Sequence, residues 1–112
     1  MPVRSLRSSV LEWPGAGRVL EAPKGWAVRA GRERPEFSRL ACFGSYARGD
    51  WGVGSDLNLI LLVREASEAF ARRAACWDLA SMPVPCDVLA YTSDEHARAT
   101  LTRAIAREVQ WI

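Results

Sequence analysis

The chain is 112 residues long, 49% of them hydrophobic and 25% charged, and its formal net charge at pH 7 is +2. These values match soluble globular proteins and exclude disordered and fibrous classes, and the longest apolar run, residues 59–63, is far below the roughly 20 residues that cross a bilayer. We therefore expect a single small domain over residues 1–112, cytoplasmic and without membrane contact, and the small, scattered charge disfavours nucleic acid as a partner.

The first third of the chain predicts a short strand followed by a long helix. Residues 8–13 fit a strand that ends at Pro14, and residues 15–34 fit a helix. The buried face of this helix is predicted to carry Val19, Ala22, Trp26, Ala27 and Ala30. Because a proline inside a helix loses a hydrogen bond and costs about 3 kcal/mol, we expect a kink or break near Pro23 unless packing compensates.

The middle of the chain predicts a strand, a turn, a short helix and a second strand. Residues 39–43 form a short buried strand, Gly44 permits a tight turn, and Ser45 is placed to cap the new helix. After a glycine-rich link, residues 56–63 predict a strand that is apolar on both faces, as in the centre of a covered sheet. Because side chains alternate along a strand, Asp56 and Asn58 point to the same face, about 7 Å apart.

The last part of the chain predicts two helices and two strands. Residues 67–80 fit a helix, residues 86–91 fit a third strand, and Thr92 with Glu95 matches a capping box. The core faces of the two helices are predicted to carry Phe70, Ala74, Trp77, Ala97, Leu101 and Ile105, and Val109 and Trp111 suggest a terminal strand. Helices alternating with short strands predict an α/β (α+β) fold, with a central mixed β-sheet and helices packed on it.

Residues 43–63 read FGSYARGDWGVGSDLNLILLV, which resembles the signature of the DNA polymerase β nucleotidyltransferase superfamily, most closely its minimal nucleotidyltransferase branch. In that family a strand ends in Gly-Ser, the next strand carries Asp-x-Asp, and a third acidic residue lies on a later strand. The matching positions here are Gly44 and Ser45, then Asp56 and Asn58, then Asp87. The resemblance covers residues 39–91 and implies the nucleotidyltransferase fold.

The resemblance also implies a reaction, which is Mg²⁺-dependent transfer of a nucleoside monophosphate, AMP from ATP, to a hydroxyl group. Its catalytic and metal-binding residues would be Asp56, Asn58 and Asp87, and its nucleotide-binding residues would be Gly44, Ser45, Arg48 and Ser55. In the family two metal ions clamp the triphosphate and the attacking hydroxyl, which the third carboxylate, here Asp87, helps to activate. Asn58 offers a neutral oxygen where the family has a carboxylate, so we expect weaker metal binding and reduced or lost transfer.

The residue types are chemically suited to these roles. Magnesium prefers hard oxygen ligands and binds through one or two carboxylates plus substrate phosphates, which Asp56, Asp87 and a nucleoside triphosphate supply. Asp87 begins an otherwise apolar strand, where a charge is costly unless it faces a cation. Backbone amides at a helix N-terminus bind anions, so the Gly44–Ser45 turn is placed to hold phosphate, and Arg48 adds positive charge.

Minimal nucleotidyltransferases are often paired with a small helical HEPN protein, and in toxin–antitoxin pairs they act as antitoxins by transferring AMP onto it. The resemblance therefore implies a HEPN-type partner, with a tyrosine hydroxyl as the acceptor. One alternative is a catalytically impaired nucleotide-binding or partner-neutralising module. A less favoured alternative is a transferase that modifies RNA or DNA ends, which the modest charge disfavours.

Several residues carry no such signal. His96, next to acidic residues at a helix start, is expected to be a solvated surface residue. Cys42, Cys76 and Cys86 lack CxxC spacing and are expected to be buried, reduced thiols. Most of the five tryptophans are expected in the core or an interface. Trp51 lies in the loop before the second strand and has three open readings: stacking on a base, packing on a partner, or packing within its loop.

Overall fold

The computed structural model describes residues 15–112, so the predicted strand at residues 8–13 and the environment of Trp13 lie outside the described residues. The described part contains a four-stranded sheet of order β3-β2-β1-β4. Its strands are β1 (Phe37–Phe43), β2 (Leu57–Val63), β3 (Cys86–Thr92) and β4 (Gln110–Trp111). Strands β2 and β3 are parallel and the other pairs are antiparallel. The predicted mixed sheet and the terminal strand are confirmed.

Short helices and one long helix connect the strands. The helices are α1 (Ala16–Glu33), α2 (Ser45–Arg48), α3 (Phe70–Arg73), α4 (Ser93–Arg98) and α5 (Thr100–Ile105), with a 3₁₀ turn at Ala74–Cys76. No helix within residues 15–112 has the length and apolarity needed to span a membrane.

Hydrophobic side chains cover both faces of the sheet. On one face, Val19 and Trp26 of α1 pack against buried residues of β2 such as Leu59 and Leu61. The other face holds a smaller cluster, Ala41, Ile60, Leu62 and Ile105, which is closed by α5. Because side chains alternate along β2 and both of its faces are covered, the strand is apolar throughout apart from Asn58. The sheet therefore has helices on both sides.

Helix α1 continues through Pro23, so the expected break does not occur. The Pro23 side chain is fully buried, and this burial compensates for the lost hydrogen bond. The predicted buried face is confirmed, with Val19, Trp26 and Ala30 buried and Ala22 and Ala27 half-buried.

The single helix predicted over residues 67–80 is wrong. The α-helix is limited to α3, which the short 3₁₀ turn extends, and residues 77–80 are not helical. Phe70, which was expected in the core, is 41% exposed, whereas Trp77 is buried as predicted and Ala74 is half-buried.

The reason lies in side chains from elsewhere in the chain that bind carbonyl groups in this segment. Nη1 of Arg34 donates to the carbonyl of Cys76 at 3.0 Å, and Nε1 of Trp26 donates to the carbonyl of Asp78 at 2.7 Å. These carbonyls are therefore satisfied without a helical hydrogen bond. The local apolar spacing does not contain this information.

The last predicted helix is divided into α4 and α5 at Ala99, whose backbone is extended (φ −70°, ψ 135°). The 3.6-residue period does not carry across such a residue, so one apolar face cannot run through both helices. Ile105 is buried and Leu101 is half-buried as predicted, but Ala97 is exposed and its assignment to the core is wrong.

The capping box at the start of α4 is confirmed. The backbone N–H of Glu95 donates to Oγ1 of Thr92 at 3.3 Å, and the backbone N–H of Thr92 donates to Oε1 of Glu95 at 2.8 Å. The Glu95 carboxylate also accepts hydrogen bonds from the guanidinium of Arg73, at 2.5 and 3.1 Å. These bonds tie α3 to α4 and hold the pKa of Glu95 down at about 2.

His96 is not the solvated surface residue that was expected. Its ring centroid lies 6.0 Å from that of Tyr91 and 5.6 Å from that of Trp111. Its Nε2 atom is buried and has no hydrogen-bond partner within the described part of the chain, and burial lowers its pKa. Packing against Trp111 of β4, which is distant in sequence, shields part of the ring from water.

The other aromatic and thiol predictions are partly correct. Trp26 and Trp77 are buried, but Trp111 is 40% exposed, since it lies on the short edge strand β4. The guanidinium of Arg39 lies 4.3 Å from its ring centroid. The cysteines are all free: Cys42 is buried, Cys86 is half-buried, and Cys76 is exposed against expectation. Cys76 is exposed because its segment is a surface turn and not a helix packed on the core.

Candidate functional site

A cleft of about 480 Å³ opens where the C-terminal end of β1 meets the N-terminal ends of β2 and β3. It brings together every residue predicted for the site, namely Gly44, Ser45, Arg48, Ser55, Asp56, Asn58 and Asp87. Glu108 also lines the cleft and was missed by the sequence analysis. Because Glu108 follows the last helix and belongs to no recognisable motif, only the tertiary fold reveals it.

Strand register places the oxygen-bearing side chains on one edge of the cleft. Asn58 is directly opposite Asp87 in the parallel β2–β3 pair, so their Cα atoms are about 4.8 Å apart. Asp56 directly precedes β2, two residues before Asn58, and lines the same cleft. Asp56 and Asp87 are exposed and Asn58 is half-buried. The two carboxylates are therefore free to face a ligand.

The turn after β1 requires glycine. Gly44 has φ 83° and ψ −155°, a backbone conformation that is essentially restricted to glycine. A Cβ at this position would overlap Nδ2 of Asn58, and would lie 3.3 Å from its Cγ. Gly44 is also the N-cap of α2, so Ser45 is the first helical residue and not the cap that was expected. The tight turn at Gly44 is as predicted, whereas the predicted serine cap is wrong, since no side chain of the described residues caps this helix.

Arg48 lies between two carboxylates. Its Nε donates to Oδ2 of Asp50 at 3.1 Å, and its Nη1 donates to Oε2 of Glu108 at 3.0 Å. The same Oε2 of Glu108 accepts the backbone N–H of Gly44 at 2.7 Å. These contacts raise the pKa of Arg48, through the hydrogen bond to Asp50 first. The predicted phosphate-binding groups thus hold a side-chain carboxylate in this structure.

Two contacts hold the loop between α2 and β2, one to the adjacent helix α2 and one within the loop itself. The Trp51 ring stacks on Tyr46, with ring centroids 5.4 Å apart and planes 11° from parallel, and Tyr46 is buried. Oγ of Ser55 accepts the backbone N–H of Gly52 at 2.8 Å, which closes the turn before Asp56. Of the three readings for Trp51, packing within the loop is the one observed.

Two thiols near the cleft are protonated at neutral pH. Burial raises the pKa of Cys86 to about 11, and the nearby carboxylates of Asp56 and Asp87 add to this effect. Burial also raises the pKa of Cys42 to about 11, with smaller contributions from Cys86 and Glu108. Because thiolates and not thiols are nucleophiles and metal ligands, the chemistry of the cleft falls to oxygen groups.

The oxygen donors suit a magnesium ion that is shared with a phosphate compound. Magnesium usually takes one or two protein carboxylates and completes its shell with phosphate oxygens and water. Asp56 and Asp87 supply the carboxylates and Asn58 supplies an amide oxygen at the same edge. In the part of the chain that the structure describes, no three His, Cys, Asp or Glu residues form a metal-binding group. Two carboxylates and one amide oxygen leave coordination positions for phosphate oxygens and water, so the donor set fits a metal held jointly with a ligand.

A second cleft of about 480 Å³ lies at the opposite end of β2. Its two arginines are already paired with protein carboxylates: Nε of Arg34 binds Oε1 of Glu36 at 2.8 Å, and Arg73 binds Glu95. The guanidinium of Arg34 also lies 4.0 Å from the ring centroid of Trp77. These arginine contacts stabilise the fold. Because both arginines are already bound to protein groups, the second cleft is the weaker candidate for a ligand site.

Comparison with known proteins gives a family and a fold. A family model described as nucleotidyltransferase domain matches residues 30–111. A Sulfolobus solfataricus protein proposed to be a nucleotidyltransferase has a similar structure, with a TM-score of 0.60 and 19% identity over 86% of this chain and 80% of that chain. No curated protein is similar enough in sequence to count as a relative.

Two toxin–antitoxin structures are similar as well. One, determined with AMP-PNP, has a TM-score of 0.54 and 18% identity over 88% of this chain and 72% of that chain. The other, a mutant of the toxin–antitoxin MntA-HpeT, has a TM-score of 0.53 and 17% identity with the same coverage of 88% and 72%. At such low identity these likenesses show a shared fold only.

Proposed function

The chain belongs to the nucleotidyltransferase domain family, and on that basis we propose that it transfers a nucleoside monophosphate, AMP from ATP, to a hydroxyl group. One observation carries the proposal: a single cleft is lined by the Gly44–Ser45 turn and by Asp56, Asn58 and Asp87. Such a cleft offers N–H donors to phosphate and hard oxygen ligands to a cation. A magnesium–triphosphate complex carries both complementary groups.

In this proposal the turn and its neighbours bind the triphosphate. Because Gly44 has no side chain, phosphate can approach its backbone closely, and the first amides and the hydroxyl of Ser45 add donors. Arg48 contributes positive charge from the same wall of the cleft, and Ser55 lines the cleft beside Asp56. Trp51 stacks on Tyr46 and is not among the residues that line the cleft, so we assign it no contact with the base.

The carboxylates take the chemical roles. A hydroxyl oxygen of the acceptor attacks the α-phosphorus, the bond to pyrophosphate breaks, and Asp87 accepts the hydroxyl proton. Asp56, Asp87 and the amide oxygen of Asn58 would hold Mg²⁺, which when bound neutralises phosphate charge and stabilises the departing pyrophosphate. Because position 58 lacks a charge, metal and nucleotide binding depend on the carboxylates of Asp56 and Asp87.

We propose that the acceptor is a protein hydroxyl, a tyrosine on a small helical HEPN-type partner, and that the chain acts as the antitoxin of the pair. The resemblance to the minimal nucleotidyltransferase branch and the fold shared with two toxin–antitoxin structures support this choice. The cytoplasm, where ATP and Mg²⁺ are abundant, is the proposed location.

Asn58 supports a second candidate function. The asparagine replaces the family's shared carboxylate with a neutral oxygen, and its amide packs against Gly44. A chain with this change would keep the phosphate turn and lose transfer. It would then neutralise its partner by binding, with the nucleotide as a ligand and not as a substrate.

Transfer of labelled AMP tests the two candidates. The chain is incubated with α-labelled ATP, Mg²⁺ and the product of the neighbouring gene, and protein-bound label is measured. Label that disappears in Asp56→Asn and Asp87→Asn, but persists in the exposed surface control Asp94→Asn, supports transfer. Nucleotide binding without any labelling supports the binding module, and labelling that survives Asp56→Asn contradicts the proposed site.

A further inference from the structure

The phosphate-binding groups of the cleft already hold an anion that belongs to the chain. One oxygen of Glu108, Oε2, accepts the backbone N–H of Gly44 at 2.7 Å and Nη1 of Arg48 at 3.0 Å. These are two of the donors that the proposed function assigns to the triphosphate. The Glu108 side chain is 21% exposed and the Arg48 side chain 47%, so the pair sits at the mouth of the cleft.

The C-terminal segment holds Glu108 in place. The backbone N–H groups of Glu108 and Val109 donate to the carbonyl of Ile105, at 2.9 and 3.1 Å, which turns the chain back over the sheet. Nε2 of Gln110 then donates to the carbonyl of Ala47 in α2 at 2.7 Å. Strand β4 pairs with Ala41 and Cys42 of β1, directly before the turn. Residues 108–110 are therefore held against one side of the Gly44–Ser45 turn, and we call this segment the clasp.

A carboxylate and a phosphate compete for the same donors. Both present negatively charged oxygens, and the backbone N–H of Gly44 has a single hydrogen to donate. A phosphate placed at Gly44 would also stand within a few ångströms of the Glu108 charge, in a cleft where screening is weaker than in bulk water. Glu108 and a nucleotide phosphate thus cannot both accept the Gly44 N–H.

We propose that Glu108 is a built-in competitor of the nucleotide, which occupies the phosphate position until the triphosphate displaces it. This inference rests on the proposed function, because it assumes that phosphate binds at Gly44 and Arg48. Nucleotide binding frees the Glu108 carboxylate and loosens the clasp formed by residues 108–110. Occupation of the site is thereby linked to the C-terminal segment, and Glu108 sets the affinity of the cleft for phosphate.

Calorimetric titration of Mg-ATP into the natural chain and into Glu108→Gln measures the competition. Glutamine keeps the shape of the side chain and can still accept the Gly44 N–H, so the fold is retained, but its neutral oxygen is a weaker competitor and does not repel phosphate. We expect Glu108→Gln to bind Mg-ATP about 10-fold more tightly or better. Glu33→Gln removes the same charge from the exposed surface of α1 and is expected to bind like the natural chain.

The outcomes separate this inference from the proposed function. Tighter binding in Glu108→Gln alone supports it, as does binding that appears only in that variant. Equal or weaker binding in Glu108→Gln, with a natural chain that does bind Mg-ATP, overturns the competitor and leaves the function standing. If neither chain binds, both are contradicted. In the natural chain the ¹³Cδ resonance of Glu108 must also shift on saturation with Mg-ATP, and an unchanged resonance overturns the inference without any variant.

Discussion

The carboxamide of Asn58 lies directly against the backbone of Gly44, so closely that a Cβ at position 44 would overlap its Nδ2. This contact joins the end of β1 to the start of β2, the two strands that carry the phosphate turn and the metal-facing residues. The geometry of the turn and the identity of the residue at position 58 are therefore coupled. A substitution at either position is therefore expected to shift the other residue.

Replacement of Gly44 by alanine is expected to lower the free energy of unfolding by about 2–4 kcal/mol, because it adds backbone strain and a steric overlap. Gly54→Ala shares the positive φ (89°) but meets open space, so a smaller loss of about 1–2 kcal/mol is expected. Gly52→Ala has neither problem and should change little. Urea unfolding of the three variants checks the order, and equal losses would show that the contact with Asn58 is not tight.

Asn58→Asp should restore a charged ligand and make stability depend on metal. Without Mg²⁺ the new carboxylate faces Asp87 across the β2–β3 pair, and we expect a loss of roughly 1–2 kcal/mol from this repulsion. Millimolar Mg²⁺ should reverse the loss, because a ligand that binds only the folded state stabilises it. Melting curves with Mg²⁺ and with EDTA test this, and curves that do not respond to Mg²⁺ would argue against a metal at this edge.

Trp51→Ala separates loop packing from base recognition. Loss of the stack on Tyr46 should cost about 2 kcal/mol of stability and weaken the binding of Mg-ATP and Mg-tripolyphosphate by the same factor. Trp51→Phe keeps a stacking ring and is expected to retain most of the stability and most of the affinity for the two ligands. A variant that loses affinity for ATP but keeps its affinity for tripolyphosphate would instead indicate that Trp51 contacts the base.

Glu95 should make the protein sensitive to acid. Its pKa is lowered to about 2 from an ordinary value of 4.5, by hydrogen bonds from Arg73 first and from the Thr92 backbone next. A lowered pKa means that the contribution is present above pH 4.5 and is lost as the pH falls towards 2. Glu95→Gln should therefore reduce the slope of unfolding free energy against pH in this window. Glu65→Gln, an exposed carboxylate, serves as control, and an equal change there would contradict the assignment.

The features that sequence predicted correctly depend on local patterns. The apolar run of β2, the glycine after β1 and the capping box at Thr92 and Glu95 each lie within a few residues, so their local spacing determines their structure. The positions of Asp56 and Asn58 in one cleft follow from the same strand periodicity. Asp87 was assigned to the same site from the family pattern, because the sequence alone does not show which strands are neighbours in the sheet.

The features that sequence missed depend on contacts between distant segments. Glu108 reaches Gly44 only because β4 returns to pair with β1. His96 is partly shielded from water by Trp111 of that same strand. The helix expected over residues 67–80 is shortened where Arg34 and Trp26 capture carbonyls of the segment. Periodicity within a window carries no information about such contacts.

Calorimetric titration of ATP with and without Mg²⁺ tests the central claim most directly, with Asp56→Ala and the surface control Asp94→Ala beside the natural chain. We expect Mg²⁺-dependent binding by the natural chain and by Asp94→Ala, and affinity at least about 10-fold weaker in Asp56→Ala, since one magnesium ligand is lost. Failure of both the natural chain and Glu108→Gln to bind ATP with or without Mg²⁺, or binding that is unchanged in Asp56→Ala, would contradict the assignment of this cleft as a nucleotide site.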